Sequence, residues 1–287
     1  MIPKIIHYCW FGGEPLSELA LKCIESWKKY FPDYEIKEWN DLNYDIRKIP
    51  YIDEAYNAKK YAFVSDYARF DILYQYGGIY FDTDVEVIKP FDDILKNGGF
   101  MGFETPVFVN TGLGMGCKPK LSIIHQILEF YMTLHFVNPD GSYNTRTVVK
   151  HVTEILKKNG LKTENNIQTL DELFIYPVDY FNPKSFHTGI LNITKNTHSI
   201  HHYASSWYSE KRNEEKYARW HFHEKYGHDE YLVNIYSRLK YYEKKYKDIE
   251  GENVSLKQVY KFVIKKTFKK ILGKKLIYKI KSFINKK

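Results

Sequence analysis

The segment YGGIYFDTDVEV, residues 76–87, constrains this chain more than any other stretch. A glycine pair stops one element, a short apolar run follows, and two aspartates stand one residue apart where the run ends. Residues i and i+2 of a strand project to the same face, so Asp82 and Asp84 would present two carboxylates together. In open α/β sheets, ligands bind at the carboxyl ends of strands. Two carboxylates in a low-dielectric cleft repel, and a bound divalent cation relieves that repulsion. Mg2+ or Mn2+ commonly joins such groups to substrate phosphates, so the pair points to a metal–diphosphate site. An isolated Asp-x-Asp is also what a solvated turn looks like, and the neighbouring elements must decide between the two.

Those neighbours alternate between strand and helix. Residues 3–11, PKIIHYCWF, read as a first strand stopped by Gly12 and Gly13. Residues 15–31 carry apolar side chains at 16, 19, 20, 23, 24, 27 and 31, a helical stripe that ends at Pro32. YEIKEW (34–39) alternates as a second strand, a helix over about 58–76 leads into Gly77-Gly78, and strands at 79–81 and 85–88 flank the aspartates. This succession predicts an α/β sandwich with a largely parallel sheet. Further on, 99–104 is a strand candidate, 120–136 and 144–160 are amphipathic helices, 174–183 reads as an edge strand or loop, and 198–209 as a short strand followed by a loop.

Within the helix before the aspartates, AFVSDYARFDILYQYGG, Asp66 and Arg69 lie three residues apart and share a face with Ala62 and Leu73. A charged pair on an apolar stripe is either a surface ion pair or a pair of hydrogen-bonding groups reaching into a cleft. Asp71 falls off the stripe and reads as surface.

Composition narrows the class. The chain has 287 residues, enough for one sizeable core with an appendage. Its 26 Tyr and 18 Phe suit a stacking surface for sugar or base, or simply a core. Cys9, Cys23 and Cys117 are scattered and odd in number, which excludes a cysteine zinc site and a disulfide framework and fits a cytoplasmic setting. The N-terminal residues lack the pattern of a signal peptide, and no window reaches the roughly eighteen apolar residues of a spanning helix. The net charge of +8 is uneven: residues 254–287 hold twelve lysines and no acid, which leaves the rest of the chain four charges negative. A basic face for nucleic acid is not supported.

Taken together, AFVSDYARFDILYQYGGIYFDTDVEV, IPKIIHYCWFGG and SIHHYASSW resemble glycosyltransferase family 32. That family includes yeast-type initiating mannosyltransferases, bacterial capsule and lipopolysaccharide transferases and, distantly, the clostridial glucosylating toxins. The resemblance covers most of residues 1–210. It implies a GT-A type, Rossmann-like α/β/α sandwich with a mixed, mostly parallel sheet. It also implies roles: Trp10 stacks on the nucleotide base, Tyr61 and Tyr80 line base and ribose, and Ser65, Asp66 and Arg69 hold the ribose and the donor sugar. Asp82 contacts the sugar and reaches the metal through water, while Asp84 binds the metal directly. Ser205 and His202 fall where further metal ligands stand, with His201 as the alternative because strand neighbours point oppositely. The family offers an acid where this chain has histidine, and a neutral imidazole is an acceptable ligand for Mn2+. Trp207 matches the indole that assists the departing diphosphate.

The resemblance therefore implies a Mn2+- or Mg2+-dependent hexosyltransferase that acts on a nucleotide sugar, UDP-linked in the leading reading and GDP-mannose in the alternative. The acceptor is a saccharide, with anomeric configuration retained, in bacterial capsule or lipopolysaccharide synthesis. Glu104, Asn110 and Asp179 are candidates for the acceptor side. Two readings of another class fit less well. A haloacid dehalogenase-type phosphatase wants Thr or Val where this chain has Glu86. A non-catalytic sugar-binding module has no use for a charged pair beside a metal site.

The expected organisation is a transferase domain over 1–210, a helical extension over 211–253 and a basic amphipathic tail over 254–287. In the tail, apolar residues at 256, 259, 260, 263, 264, 268, 271 and 272 alternate with lysines. Such a segment either lies on an anionic membrane surface or packs on its own domain. The first option predicts a peripheral position on the inner face of the cytoplasmic membrane, near a lipid-diphosphate-linked acceptor.

Overall fold

The computed structural model describes residues 1–205 and 210–226. The chain divides into two compact units, residues 1–184 with 191–207, and residues 185–190 with the segment from 208 onward. The first unit opens with β1 (Ile5–Cys9), α1 (Glu18–Tyr30), β2 (Glu35–Trp39), α2 (Pro50–Asn57), α3 (Tyr61–Tyr76), β3 (Gly78–Tyr80) and β4 (Val85–Val87). It continues through α4 (Asp92–Leu95), β5 (Gly99–Thr105), β6 (Phe108–Asn110), β7 (Met115–Cys117), α5 (Ser122–Met132) and α6 (Val148–Lys158). β8 (Gln168–Leu170), β9 (Leu173–Tyr176), α7 (Val178–Phe181) and β10 (Ser199–His201) complete it. In the second unit, α8 (Glu210–Tyr226) directs Trp220 Nε1 at the Phe186 carbonyl, 2.9 Å away.

The main sheet runs in the order β2-β1-β3-β7-β5-β9-β8, with β6 paired to β5. β1 is parallel to both β2 and β3, and β5 is parallel to β9, while β7 is antiparallel to the strands on either side. This is the expected α/β/α sandwich with a mixed sheet in which most strands share one direction. Strand alternation divides the core between the two faces. Ile6 and Tyr8 of β1 join Trp27 of α1 and Phe81 on one side, while Cys9 and Tyr80 join residues of α2, α3, α5 and α6 on the other.

Two sequence expectations need correction. Residues 173–176 form a strand paired on both sides, with β8 at the edge, because Pro177 stops the strand only after its ladder is complete. β4 does not continue β3 in the main sheet. It pairs antiparallel with β10 in a separate two-stranded sheet, with Val85 opposite His201. This pairing brings residues 199–205 to the aspartates. The expected tail over 254–287 and the part of the expected extension beyond 226 lie outside the described residues, as does Trp207. Among the described residues no helix is long and apolar enough to cross a membrane.

Candidate active site

The aspartates sit in a turn between the two sheets, not in a strand. Phe81 N–H still donates to the His7 carbonyl at 3.2 Å, after which Asp82 N–H bonds Gly112 and Val85 N–H bonds back to Asp82 at 3.0 Å. The turn, not a shared strand face, brings the two carboxylates together. A carboxylate oxygen from each aspartate and a ring nitrogen of His201 all lie within 4.8 Å of one another.

His201 is the histidine that β10 delivers. Its Nε2 is 3.1 Å from Asp84 Oδ1, and Ala204 N–H donates to Asp84 Oδ2 at 2.7 Å. Burial alone would raise the Asp84 pKa, but His201 and the backbone N–H groups overcome it and hold the carboxyl down at about 2. Burial would lower the His201 pKa, and the neighbouring Asp84 carboxylate raises it instead. His202 faces elsewhere. Its Nε2 is 2.8 Å from Glu86 Oε2, which also receives Lys22 Nζ at 2.9 Å. The structure thus brings His201 to the aspartates and not His202, because successive residues leaving β10 point to opposite sides. Ser205 has a left-handed backbone, φ 52°, and its hydroxyl donates to the Tyr203 carbonyl at 3.1 Å.

The second cluster is carried by α3. Arg69 is 4% exposed, with Nη2 3.1 Å from Asp66 Oδ1 and 3.2 Å from Asp82 Oδ1. Its Nε donates to the Ser65 carbonyl at 3.0 Å, and its guanidinium lies 4.8 Å from the centre of the Tyr80 ring. Tyr80 donates its phenol proton to Asp82 Oδ1 at 2.9 Å. One guanidinium is therefore shared between two carboxylates. Burial and the nearby Asp82 charge outweigh Arg69 and push the Asp66 carboxyl up to about 7. The helix-surface alternative for this pair is set aside, since both side chains are buried.

Tyr61 and Ser65 belong to the first turns of α3, which pack against the end of β1 through Gly12. Trp10 follows β1, its N–H bonded to the Trp39 carbonyl at 2.8 Å and its indole N–H to the Glu14 carbonyl at 2.5 Å. Gly12 lies against the Tyr61 ring, where a Cβ would come within 2.3 Å of a ring carbon. Ser65 Oγ donates to the Tyr61 carbonyl at 3.2 Å.

Several contributors were not singled out from the sequence. The stretch VNTGLGMG, residues 109–116, folds over Asp82. Thr111 Oγ1 receives Arg69 Nη1 at 3.4 Å, and a Cβ on Gly112 would lie 2.0 Å from Asp82 Oδ2. The density of glycine in that stretch was the available signal for a close backbone approach. Lys184 is half-buried. Burial lowers its pKa, and the Asp84 charge opposes the drop. Asp71 is a correction: it is 4% exposed and takes both Lys48, at 2.7 Å, and the Tyr44 hydroxyl, at 3.0 Å. Of the acceptor-side candidates, Asn110 and Glu104 join this cluster, while Asp179 accepts from Thr194 and Asn196.

Two carboxylates and an imidazole are a donor set that suits a divalent cation such as Mn2+ or Mg2+. Comparison with known proteins covers the segment that carries Asp82 and Asp84. The family model described as the glycosyltransferase sugar-binding region containing a DXD motif matches residues 17–100. An uncharacterized glycosyltransferase of Acanthamoeba polyphaga mimivirus is 30% identical over 199 residues, 64% of this chain and 77% of that protein. Inositol phosphoceramide mannosyltransferase 3 of Schizosaccharomyces pombe is 28% identical over 50% of this chain and 42% of its own length. A mannosyl phosphorylinositol ceramide synthase of Saccharomyces cerevisiae is 29% identical over 45% of this chain and 35% of its own. The chain thus spans less than half the length of these two curated fungal relatives. Among solved structures, the PaToxG glycosyltransferase aligns with a TM-score of 0.45 at 19% identity, over 55% of this chain and 69% of that one. A glycosyltransferase involved in the glycosylation of the major capsid of PBCV-1 aligns at 0.42 and 14%, over 71% and 95%.

The chain is thus a transferase of sugars. It belongs to the family of glycosyltransferases whose sugar-binding region carries the DXD motif.

Proposed function

We propose that this chain transfers a hexose from a nucleotide sugar to a saccharide acceptor with the help of a divalent cation, Mn2+ in the leading reading. The observation that carries the reading is the convergence of Asp82, Asp84 and His201 beside the buried Asp66–Arg69 pair. When bound, the cation would be held by Asp84 and His201, with Asp82 reached through water, and would neutralise charge on the diphosphate.

The protein's own groups account for the rest. Arg69, fixed by Ser65 and both carboxylates, holds Asp66 and Asp82 in place, and these accept hydrogen bonds from donor-sugar hydroxyls. Trp10 and Tyr61 offer faces for the base, and Lys184 supplies positive charge near the diphosphate. Trp207 would donate its indole N–H to the same group. The bond between the anomeric carbon and the diphosphate oxygen breaks with the electron pair leaving on the diphosphate. Retention of configuration fits this arrangement, with the departing phosphate taking the acceptor proton.

UDP-hexose is the leading donor. A second reading, transfer of mannose from GDP-mannose, is favoured by the fungal relatives, whose names describe mannosyl transfer. We assign the acceptor to capsule or lipopolysaccharide chemistry, carried on a lipid diphosphate that the basic segment 254–287 would approach at the membrane surface. The test is a panel of UDP- and GDP-sugars with Mn2+, read by release of nucleoside diphosphate. One donor should be hydrolysed slowly, and a chelator should abolish the signal. If no donor is consumed and calorimetry with Mn2+ detects no nucleotide sugar bound, the transferase reading fails.

A further inference from the structure

Glu104 occupies an irregular position at the end of β5. Phe103 pairs with Val109 and Thr105 with Phe108, so the register shifts at residue 104, where the strand bulges. Bulges re-aim side chains and recur beside active sites. From this bulge Glu104 connects to both halves of the candidate site.

On one side, Glu104 Oε1 accepts from Asn110 Nδ2 at 3.2 Å, and Asn110 Oδ1 accepts from Gly112 N–H at 2.7 Å. The Gly112 carbonyl receives Asp82 N–H at 3.2 Å. On the other side, the Glu104 carbonyl accepts from Asn182 Nδ2 at 2.9 Å, and Asn182 Oδ1 accepts from the Tyr203 hydroxyl at 2.9 Å. The Tyr203 ring meets the His201 ring edge-on, with centroids 4.3 Å apart. The Glu104 side chain is also hydrogen-bonded to Tyr203.

Sheet order gives this carboxylate its side. Trp10 and Tyr61 stand by β1 and the aspartates follow β3, while β5 lies beyond β7 in the opposite direction from β1. A donor with its base against Trp10 and its diphosphate at the aspartates would point its sugar toward β5. Glu104 therefore stands at the sugar end, where an acceptor must approach.

We propose that Glu104 orients the acceptor's nucleophilic hydroxyl, its carboxylate accepting a hydrogen bond from the O–H while Asn110 and Tyr203 hold it in place. A carboxylate offers about four acceptor sites, so these bonds and that to the acceptor are compatible. The inference rests on the transferase reading. In the step it serves, the acceptor oxygen bonds to the anomeric carbon as the bond to the diphosphate breaks. Glu104 holds the hydroxyl during its approach; once the bond to the diphosphate has broken, the proton turns from Glu104 to the released diphosphate oxygen, and Glu104 ends the step unchanged.

Water is an acceptor always at hand, so slow donor hydrolysis reports this orientation without knowledge of the natural acceptor. Full-length Glu104→Gln keeps an oxygen for Asn110 but presents a weaker acceptor, and Glu104→Asp keeps the charge with a shorter reach. With Mn2+ and the donor found by the panel, Glu104→Gln should lower kcat for hydrolysis by about tenfold or more. KM for the donor should stay within about twofold, and Glu104→Asp should fall between Gln and wild type. A variant with unchanged kcat, or a rise in KM equal to the fall in kcat, overturns the role of Glu104 alone. A wild type that binds no nucleotide sugar overturns the transferase reading together with it.

Discussion

His201 Nε2 stands 3.1 Å from Asp84 Oδ1, so residues more than a hundred positions apart share one small polar centre. Their meeting depends on the pairing of β10 with β4, which no local pattern around either residue dictates.

The first prediction separates the two adjacent histidines. His201→Ala should weaken Mn2+ binding on the order of 10- to 100-fold, as when a group that supports a metal site is lost. His202→Ala should leave it within about twofold, because His202 is engaged with Glu86. Titration of Mn2+ by calorimetry decides. Equal effects of the two variants would contradict the assignment.

Arg69 pairs with both Asp66 and Asp82, and it is buried. Arg69→Met should destabilise the fold by about 3–5 kcal/mol, since it leaves carboxylates buried without their counter-charge. Adding Asp66→Asn should recover part of that loss by removing one of those charges. Denaturant unfolding of the single and double variants gives the comparison. A double variant no more stable than the single would speak against charge as the cause.

Gly112 leaves room for the Asp82 carboxylate, and an added Cβ would fall 2.0 Å from Oδ2. The carboxylate must then turn away from Tyr80 and Arg69, or the backbone must yield at a cost of about 1–3 kcal/mol. Gly112→Ala should fold and lose donor turnover by about 100-fold, the scale expected when a catalytic group is misplaced by about 1 Å. Wild-type turnover in this variant would show that Asp82 need not stay where it is.

Acid sensitivity should come in part from His7. Its Nε2–H donates to the Gly77 carbonyl at 2.9 Å, and its Nδ1 accepts from Trp39 Nε1 at 3.1 Å, which defines a neutral ring. Burial, helped by the Lys37 charge and opposed by the Gly77 bond, lowers its pKa from 6.5 to about 4. Between those values the unfolded chain binds the proton and the folded chain does not, so stability falls as pH drops from 6.5 toward 4. The loss from this group reaches on the order of 3 kcal/mol. His151, buried and also lowered to about 4, acts in the same window. Unfolding at several pH values should show a shallower decline for His7→Gln, and an identical slope would remove His7 from the account.

Much of this arrangement is legible in the sequence because local physics carries it. The stripe from 16 to 31, the glycine stop at 77–78 and the alternation at 34–39 each belong to one element, and α1, β2, α3 and β3 appear where those patterns put them. Asp66 and Arg69 share a helical face by spacing alone. Long-range pairing is not legible in this way. Only the β10–β4 pairing decides that His201 reaches Asp84, and Asp71 reads as surface until Lys48 and Tyr44 fold over it. β7 inserts between β3 and β5 although its three residues, Met115, Gly116 and Cys117, carry too short a signal to read as a strand.

If Asp82, Asp84 and His201 together hold a cation against a nucleotide diphosphate, calorimetric titration of UDP and GDP will show it. Each nucleotide would be titrated into wild type and Asp84→Ala, with and without Mn2+. Wild type should bind one of the two nucleotides in the presence of Mn2+, and omitting the cation or substituting Asp84 should abolish or sharply weaken that binding. Binding of neither nucleotide with Mn2+, or equal binding by Asp84→Ala, would contradict it.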